Sequence, residues 1–493
     1  MNHHLSLSFS WVPSSIPLSW EFDVKHVELI IILQLNNRQG YLINGCFFLL
    51  VTLIDRSGVS YKILNLMENK EGFWSPLDNA AKIFPAIRSK ENTTVLRLTA
   101  VLDKPVTINY LFKAVEQAEK RFPYYRVRLR RGFFWYYLEQ VDDPIIILPD
   151  DDMPCKAFSL NKENRLLIRI LVYKNRLSVE LSHILTDGHG IMTFLKSILI
   201  YYFREKGIIH NNEIDEFFVT DADKEELTDA YSRYFKENIP SVVSQPKAFH
   251  VPYPLRNKPR FDVLYAIIPV NEIKQKAKEK GVSITEYLIA VYLLVLQEIF
   301  YDCRNKGIPT PNKFARIEVP VNLRHIYPSK TMRNFSLFVI PEIDFRLGRY
   351  SFDEILKIVY HKMQLETDEK LINKIISRNV GGEKKLFIRG IPIWLKSLVL
   401  YFKYYSEGVN QYSGVVTNLG KIDLPESICS KVEYFALTPP PPNRKLKINC
   451  GVIGYGNKLV LSFGNISRSK DFEQKFLHFL TRQGIHVNIE NVI

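Results

Sequence analysis

The residues best suited to do chemistry lie together in the segment His183-Ile184-Leu185-Thr186-Asp187-Gly188. A neutral imidazole titrates close to pH 7, so His183 could take a proton from a hydroxyl as its oxygen attacks a thioester. Asp187, four residues on, is suited to brace the loop by pairing with an arginine rather than to touch a substrate. Gly188 is suited to a tight backbone reversal. His189 is a second candidate base, expected at the start of a following helix and facing outward. Taken alone, His-x-x-x-Asp-Gly is a short pattern, and an isolated histidine is better read as a buried, hydrogen-bonded core group, so context has to decide.

That context begins with the elements on either side. Leu166–Tyr173 and Arg176–Ile184 read as two strands joined by a turn at Lys174-Asn175. In the second strand Leu177, Val179 and Leu181 share one face while Ser178, Glu180 and Ser182 share the other, and His183 continues the apolar parity. Beyond Gly190, apolar residues at Ile191, Phe194, Leu195, Ile198, Leu199, Tyr202 and Phe203 repeat at helical spacing. The motif therefore sits where a buried strand hands over to a helix, a rigid place to hold a reactive side chain.

Further out, Thr107–Phe122 has the spacing of an amphipathic helix that Pro123 ends. The Arg- and aromatic-rich stretch Tyr124–Tyr137 reads as an edge hairpin with one wet face, which explains its alternation more simply than single-stranded nucleic acid does. Prolines 240, 246, 252, 254 and 259 mark an interlobe connection over 237–260. A second set follows: a strand near Asp262–Pro269, a helix over Asn271–Lys280, and a long apolar helix behind the capping box Ser283-Ile284-Thr285-Glu286. A strand at Phe314–Val321, a helix at Ser351–Glu369, a strand at Tyr412–Thr417, a hairpin over 447–463 and a closing helix at Asp471–Arg482 complete it. Helices and strands mix in both halves, which predicts an α/β class of two α+β, two-layer lobes.

Composition bounds the rest. At 493 residues the chain exceeds the size at which one core keeps growing, and 46% apolar with 24% charged residues is ordinary for a globular protein. The five cysteines show no paired or framework spacing, which fits a reduced, cytoplasmic setting and argues against a structural zinc site; no metal is expected. The net charge of +14 points to an anionic partner, and no nucleic-acid motif accompanies it. There is no Gly-x-Ser-x-Gly elbow and no phosphate-binding glycine loop, which argues against a serine hydrolase and against nucleotide binding.

Residues 1–66 balance Glu21, Asp23, Glu28 and Asp55 against Lys25, Arg38, Arg56 and Lys62, so all of the net charge lies beyond them. Their apolar runs Val27–Leu33 and Cys46–Val51 are too short to span a bilayer, and neither a transmembrane segment nor an export signal is expected. The expectation is an extension over 1–66, a functional fold starting near Met67, an N-terminal lobe over 67–245 and a C-terminal lobe over 246–493.

The segment Ser182–Gly188 between strand and helix resembles the active-site motif of the chloramphenicol-acetyltransferase-like superfamily, which includes condensation domains and alcohol acetyltransferases. Arg121–Leu129, Val319–Arg324 with Met332–Phe335, and Thr417–Pro425 resemble further family segments in the same order. The resemblance spans about residues 70–490, strongest toward the alcohol acetyltransferase branch. It implies a pseudodimer of two similar lobes with a central tunnel, in which an acyl-coenzyme A donor and a small hydroxyl-bearing acceptor meet at His183, the general base. It implies a structural role for Asp187, with Arg324 as its partner and Arg126 in reserve. Thr417 and Asn418 are candidates for the oxyanion donor that acyl transfer needs. Condensation domains usually carry two adjacent histidines; Ser182 stands in place of the first, which favours a free-standing O-acyltransferase, expected to move acetyl and to act as a monomer. A condensation-type enzyme joining a carrier- or CoA-bound acyl group to an amine, and a non-catalytic ligand- or partner-binding relative, are the alternatives.

Overall fold

The computed structural model describes residues 73–150, 153–159, 166–209, 222–237 and 245–491, together with four strands nearer the N-terminus. The chain separates into two compact units, Met1–Gly72 and Phe73–Ile493. In the first, Leu18–Val24, Val27–Leu33, Leu49–Ile54 and Ser60–Lys62 form an antiparallel sheet in chain order, so the apolar run Val27–Leu33 is a strand. The run Cys46–Val51 lies partly outside the described residues.

The second unit is built on two large sheets. One runs Val432–Thr438, Val95–Leu102, Arg176–Ser182, Ile168–Tyr173, Ile147–Pro149. The helices Ile108–Arg121 and Gly188–Glu205 pack on each other, and Leu111, Val115, Ile191 and Phe194 join the strands in one core. The other sheet runs Ser336–Val339, Phe314–Asn322, Gly414–Lys421, Ile448–Tyr455, Lys458–Asn465, Asp262–Pro269, Asn488–Asn491, with Glu342–Asp344 pairing the start of Phe314–Asn322. A second core forms where the helix Ile284–Asn305 packs onto this sheet. That helix is long and apolar enough to cross a membrane, yet most of it is buried in the protein. Its first turn carries the expected capping box, Ser283 with Glu286, which satisfies two otherwise orphaned N–H groups.

The two sheets share material. Val432–Thr438 lies late in the chain, yet it pairs antiparallel with Val95–Leu102 (Phe435 opposite Ala100) and so extends the first sheet. The strand Arg176–Ser182 is buried on both faces. Its polar side is closed by cross-strand partners: Ser178 with Thr99 at 2.8 Å, Ser182 with Thr94 at 3.3 Å, and Glu180 accepting from Arg97 Nε at 2.7 Å. Buried polar groups are tolerated only when paired in this way. This ladder fixes the strand whose end presents the motif.

Candidate active site

The strand ends at Ser182, and the chain turns through 183–186 before the helix Gly188–Glu205 begins. Hydrogen bonds hold the turn, among them one from the Thr186 hydroxyl to Met332 O at 2.5 Å. The His183 N–H donates to Thr94 O at 2.8 Å, the Leu185 N–H donates to Ser182 O at 2.9 Å, and Asn334 Nδ2 donates to His183 O at 2.9 Å. The His183 ring stacks on Phe84, with centroids 5.3 Å apart and planes 23° apart. Burial pushes the imidazole below its ordinary 6.5, and the Asp187 carboxylate opposes the shift. Asn334 and the Thr186 backbone also face the ring and favour its charged form. The neutral ring is therefore the prevailing form at pH 7.

Asp187 is the N-cap of the helix. Its Oδ1 accepts from His189 N at 3.0 Å and Gly190 N at 3.4 Å. Its Oδ2 accepts from Arg324 Nη1 at 2.9 Å and from Phe335 N at 2.8 Å. Burial would raise this carboxyl, but Arg324 and the N–H donors hold it below the usual aspartate value. The Arg324 guanidinium donates also to Thr331 O, Asn322 Oδ1 and Arg333 O at 2.6–3.0 Å. One buried ion pair thus ties the motif loop to the Asn322–Phe335 segment of the second sheet.

Gly188 has a different reason from the expected backbone reversal. It does not have a positive φ; it is the first residue of the helix. A Cβ there would lie 2.2 Å from Leu419 Cδ2, so the glycine makes room for a strand of the second sheet. Gly190 is packed as closely: a Cβ would meet Thr186 Oγ1 at 1.9 Å and Tyr125 Oη at 2.6 Å. His189, expected to face outward, is half-buried, and burial together with the Arg324 charge pushes it down to about 4.

Arg126 does not reach Asp187. It follows the turn Pro123–Tyr125, and its guanidinium donates instead to the carbonyls of Asp142 and Asp143. Thr417 and Asn418 lie on Gly414–Lys421, where alternation sends them to opposite faces. Asn418 shares a face with Val416 of the second core, and its Nδ2 donates to Thr285 Oγ1 at 2.8 Å while Oδ1 accepts from Gly420 N. Both ends of the Asn418 amide are thus engaged by Thr285 and Gly420. Thr417 lies two residues before Leu419, the residue against Gly188.

Several contributors carried no signal of their own in the sequence. Phe84, which stacks on His183, sits in a short helical turn, Phe84–Ile87. Asp78 is fully buried, accepts from Asn334 Nδ2 at 3.0 Å, and is pushed up to about 6 by burial. Apart from these contributors, Glu318 projects from the face of Phe314–Asn322 opposite the core residues Ile317 and Val319, near Tyr404 and Tyr412; among the described residues it makes no hydrogen bond or ion pair, and burial pushes it up to about 7. Among the described residues no cluster of His, Cys, Asp and Glu could hold a metal ion.

No protein-family model matches the sequence, and no curated protein matches it. Solved structures do match its fold. The epimerization domain of the third module of tyrocidine synthetase B superposes with a TM-score of 0.54 at 10% identity, covering 84% of this chain and 95% of that one. TRI101 of F. sporotrichioides, solved with coenzyme A and T-2, gives 0.53 at 9% identity over 85% and 99% of the two chains. The first condensation domain of the CDA synthetase gives 0.51 at 12% identity over 83% and 96%. Over more than four-fifths of its length, this chain has the two-lobed α/β fold of the condensation domains and the coenzyme-A-bound TRI101 proteins.

Proposed function

We propose that the protein is an acyltransferase that moves an acyl group, acetyl in the first instance, from coenzyme A to a hydroxyl acceptor, with His183 as the general base. The observation that carries this reading is the state of His183. It is a neutral-favouring imidazole stacked on Phe84, on a loop locked by Asp187 and Arg324. In the proposed step the acceptor O–H gives its proton to Nε2 while its oxygen attacks the thioester carbonyl carbon. The charge then rests on the former carbonyl oxygen, which the Thr417 hydroxyl is proposed to stabilise. Collapse of the tetrahedral intermediate breaks the carbon–sulfur bond, and the departing thiolate takes the proton back from the imidazolium.

The fold shared with TRI101, solved with coenzyme A and T-2, supports a coenzyme A donor and a small acceptor. The equal likeness to condensation and epimerization domains supports a second reading, an acyl group passed to an amine. Thiol release from acetyl-CoA and longer acyl-CoAs, with matched panels of alcohols and amines, separates the two. Turnover confined to amines would replace the first reading with the second, and release with no pair would remove both.

A further inference from the structure

The helix Ile393–Lys403 is built inside out. Its solvent side carries Trp394, Leu398, Tyr401 and Phe402, each between 42% and 62% exposed. These positions, i, i+4, i+7 and i+8, form one continuous stripe. Its inner side holds Ile393 and the lysine Lys396, whose Nζ lies 3.6 Å over the Trp135 ring and donates to Phe134 O and Arg389 O at 3.1 Å. The stripe continues onto a second element. The Ile393 N–H donates to Phe133 O at 2.9 Å, and Phe133 and Phe134 pack edge to face at the exposed tip of the neighbouring hairpin. A soluble surface rarely carries so many contiguous large apolar groups without a partner.

Charge identifies the partner. From Lys384 to Lys403 the sequence holds five cations and no Asp or Glu, within a chain of net charge +14; Lys396 is turned inward and Lys403 pairs with Glu407 at 3.6 Å, so Lys385 and Arg389 carry the outward charge. Lys385 and Arg389 are exposed, and among the described residues neither side chain has an ion-pair partner. Trp, Tyr, Phe and Leu on one helix face, flanked by unpaired cations, are what an interfacial helix presents to acyl chains and anionic headgroups together.

We propose that this face docks on an anionic lipid surface, with the Ile393–Lys403 helix lying in the interface plane and Phe133 and Phe134 inserted beside it. The helix packs against Phe84–Ile87, whose Phe84 stacks on His183, so docking would set the wall of the candidate site beside the lipid. The inference goes beyond the acyl-transfer reading and does not depend on it, because its test measures binding alone.

The test is flotation of the full chain with vesicles of phosphatidylcholine alone and of phosphatidylcholine mixed with phosphatidylserine. The parent is expected to float, more strongly with the mixed vesicles. Trp394→Ser/Leu398→Ser/Phe402→Ser should weaken binding to both by roughly tenfold or more, since binding scales with inserted apolar area. Lys385→Ala/Arg389→Ala should weaken binding to the mixed vesicles alone, by about fivefold per cation removed. Phe133→Ser/Phe134→Ser, on a separate element, should repeat the apolar loss even if the helix variant folds poorly. The proposal is overturned if the parent fails to float with mixed vesicles, or if the apolar variants float as the parent does. It is also overturned if light scattering shows their chief effect to be dissociation of an oligomer, which would assign the face to a second copy.

Discussion

Replacing Asp187 by alanine tests how the site is held, and its cost can be worked from the contacts. The carboxylate and Arg324 are each only 7% exposed in their side chains, so the change leaves a guanidinium buried without its counter-charge. Breaking a buried pair from one side costs about 3–5 kcal/mol. The three other acceptors of Arg324 argue for the lower end. Loss of the helix N-cap adds about 1 kcal/mol, and the orphaned Phe335 N–H adds about 1 kcal/mol or more. The expected loss is therefore about 5 kcal/mol, a large part of the stability of an ordinary domain. Urea unfolding of Asp187→Ala, Arg324→Met and the double variant closes a cycle, with an expected coupling of about 2 kcal/mol. A coupling under about 0.5 kcal/mol, or an Asp187→Ala loss under about 1 kcal/mol, would refute the view that this pair joins the motif loop to the second sheet.

Two predictions concern protons. Because burial holds His183 below its ordinary 6.5, the acid limb of the rate profile with acyl-CoA and an alcohol should fall below pH 6.5; a limb above that value would mean a different base or a charged ring. Glu318 keeps its proton up to about pH 7 in the folded chain, whereas an unfolded glutamate releases it near 4.5. The folded state therefore binds more protons between those values, so this group's contribution to stability falls as pH rises through that window. Glu318→Gln cannot ionise, so denaturant midpoints should show it more stable than the parent at pH 8 and matched to it at pH 4.5. Equal midpoints at both pH values would show that Glu318 is well solvated.

The motif was legible because its neighbours obey simple periodicities. The apolar parity of Leu177, Val179 and Leu181 and the helical repeat from Ile191 to Phe203 bracket His183 and place it at a strand–helix junction, as observed. Val95–Leu102 was not legible: it carries Arg97 and Thr99 on a fully buried strand, and it is partners far along the chain, Glu180 and Asp150 for Arg97 and Ser178 for Thr99, that make those polar residues tolerable. The crossing of Val432–Thr438 into the first sheet is a choice of partner, which alternation within one strand does not encode. The helices Glu369–Lys384 and Ile393–Lys403 were missed for different reasons. The first follows Thr367 and Asp368, which break what reads as one helix from Ser351, and the second is apolar on its outer face, so its pattern does not announce an ordinary surface helix. The reason for Gly188 is likewise tertiary, since Leu419 comes from a strand more than 200 residues away.

The most direct measurement of the central claim is thiol release from acetyl-CoA in the presence of a panel of alcohols, comparing the parent with His183→Ala. A positioned base contributes about a hundredfold to ten-thousandfold, so the variant should lose at least that hundredfold in kcat/KM while its urea midpoint stays close to the parent's. A variant that releases thiol at the parent's rate, or a parent that releases none with any donor and acceptor, would contradict it.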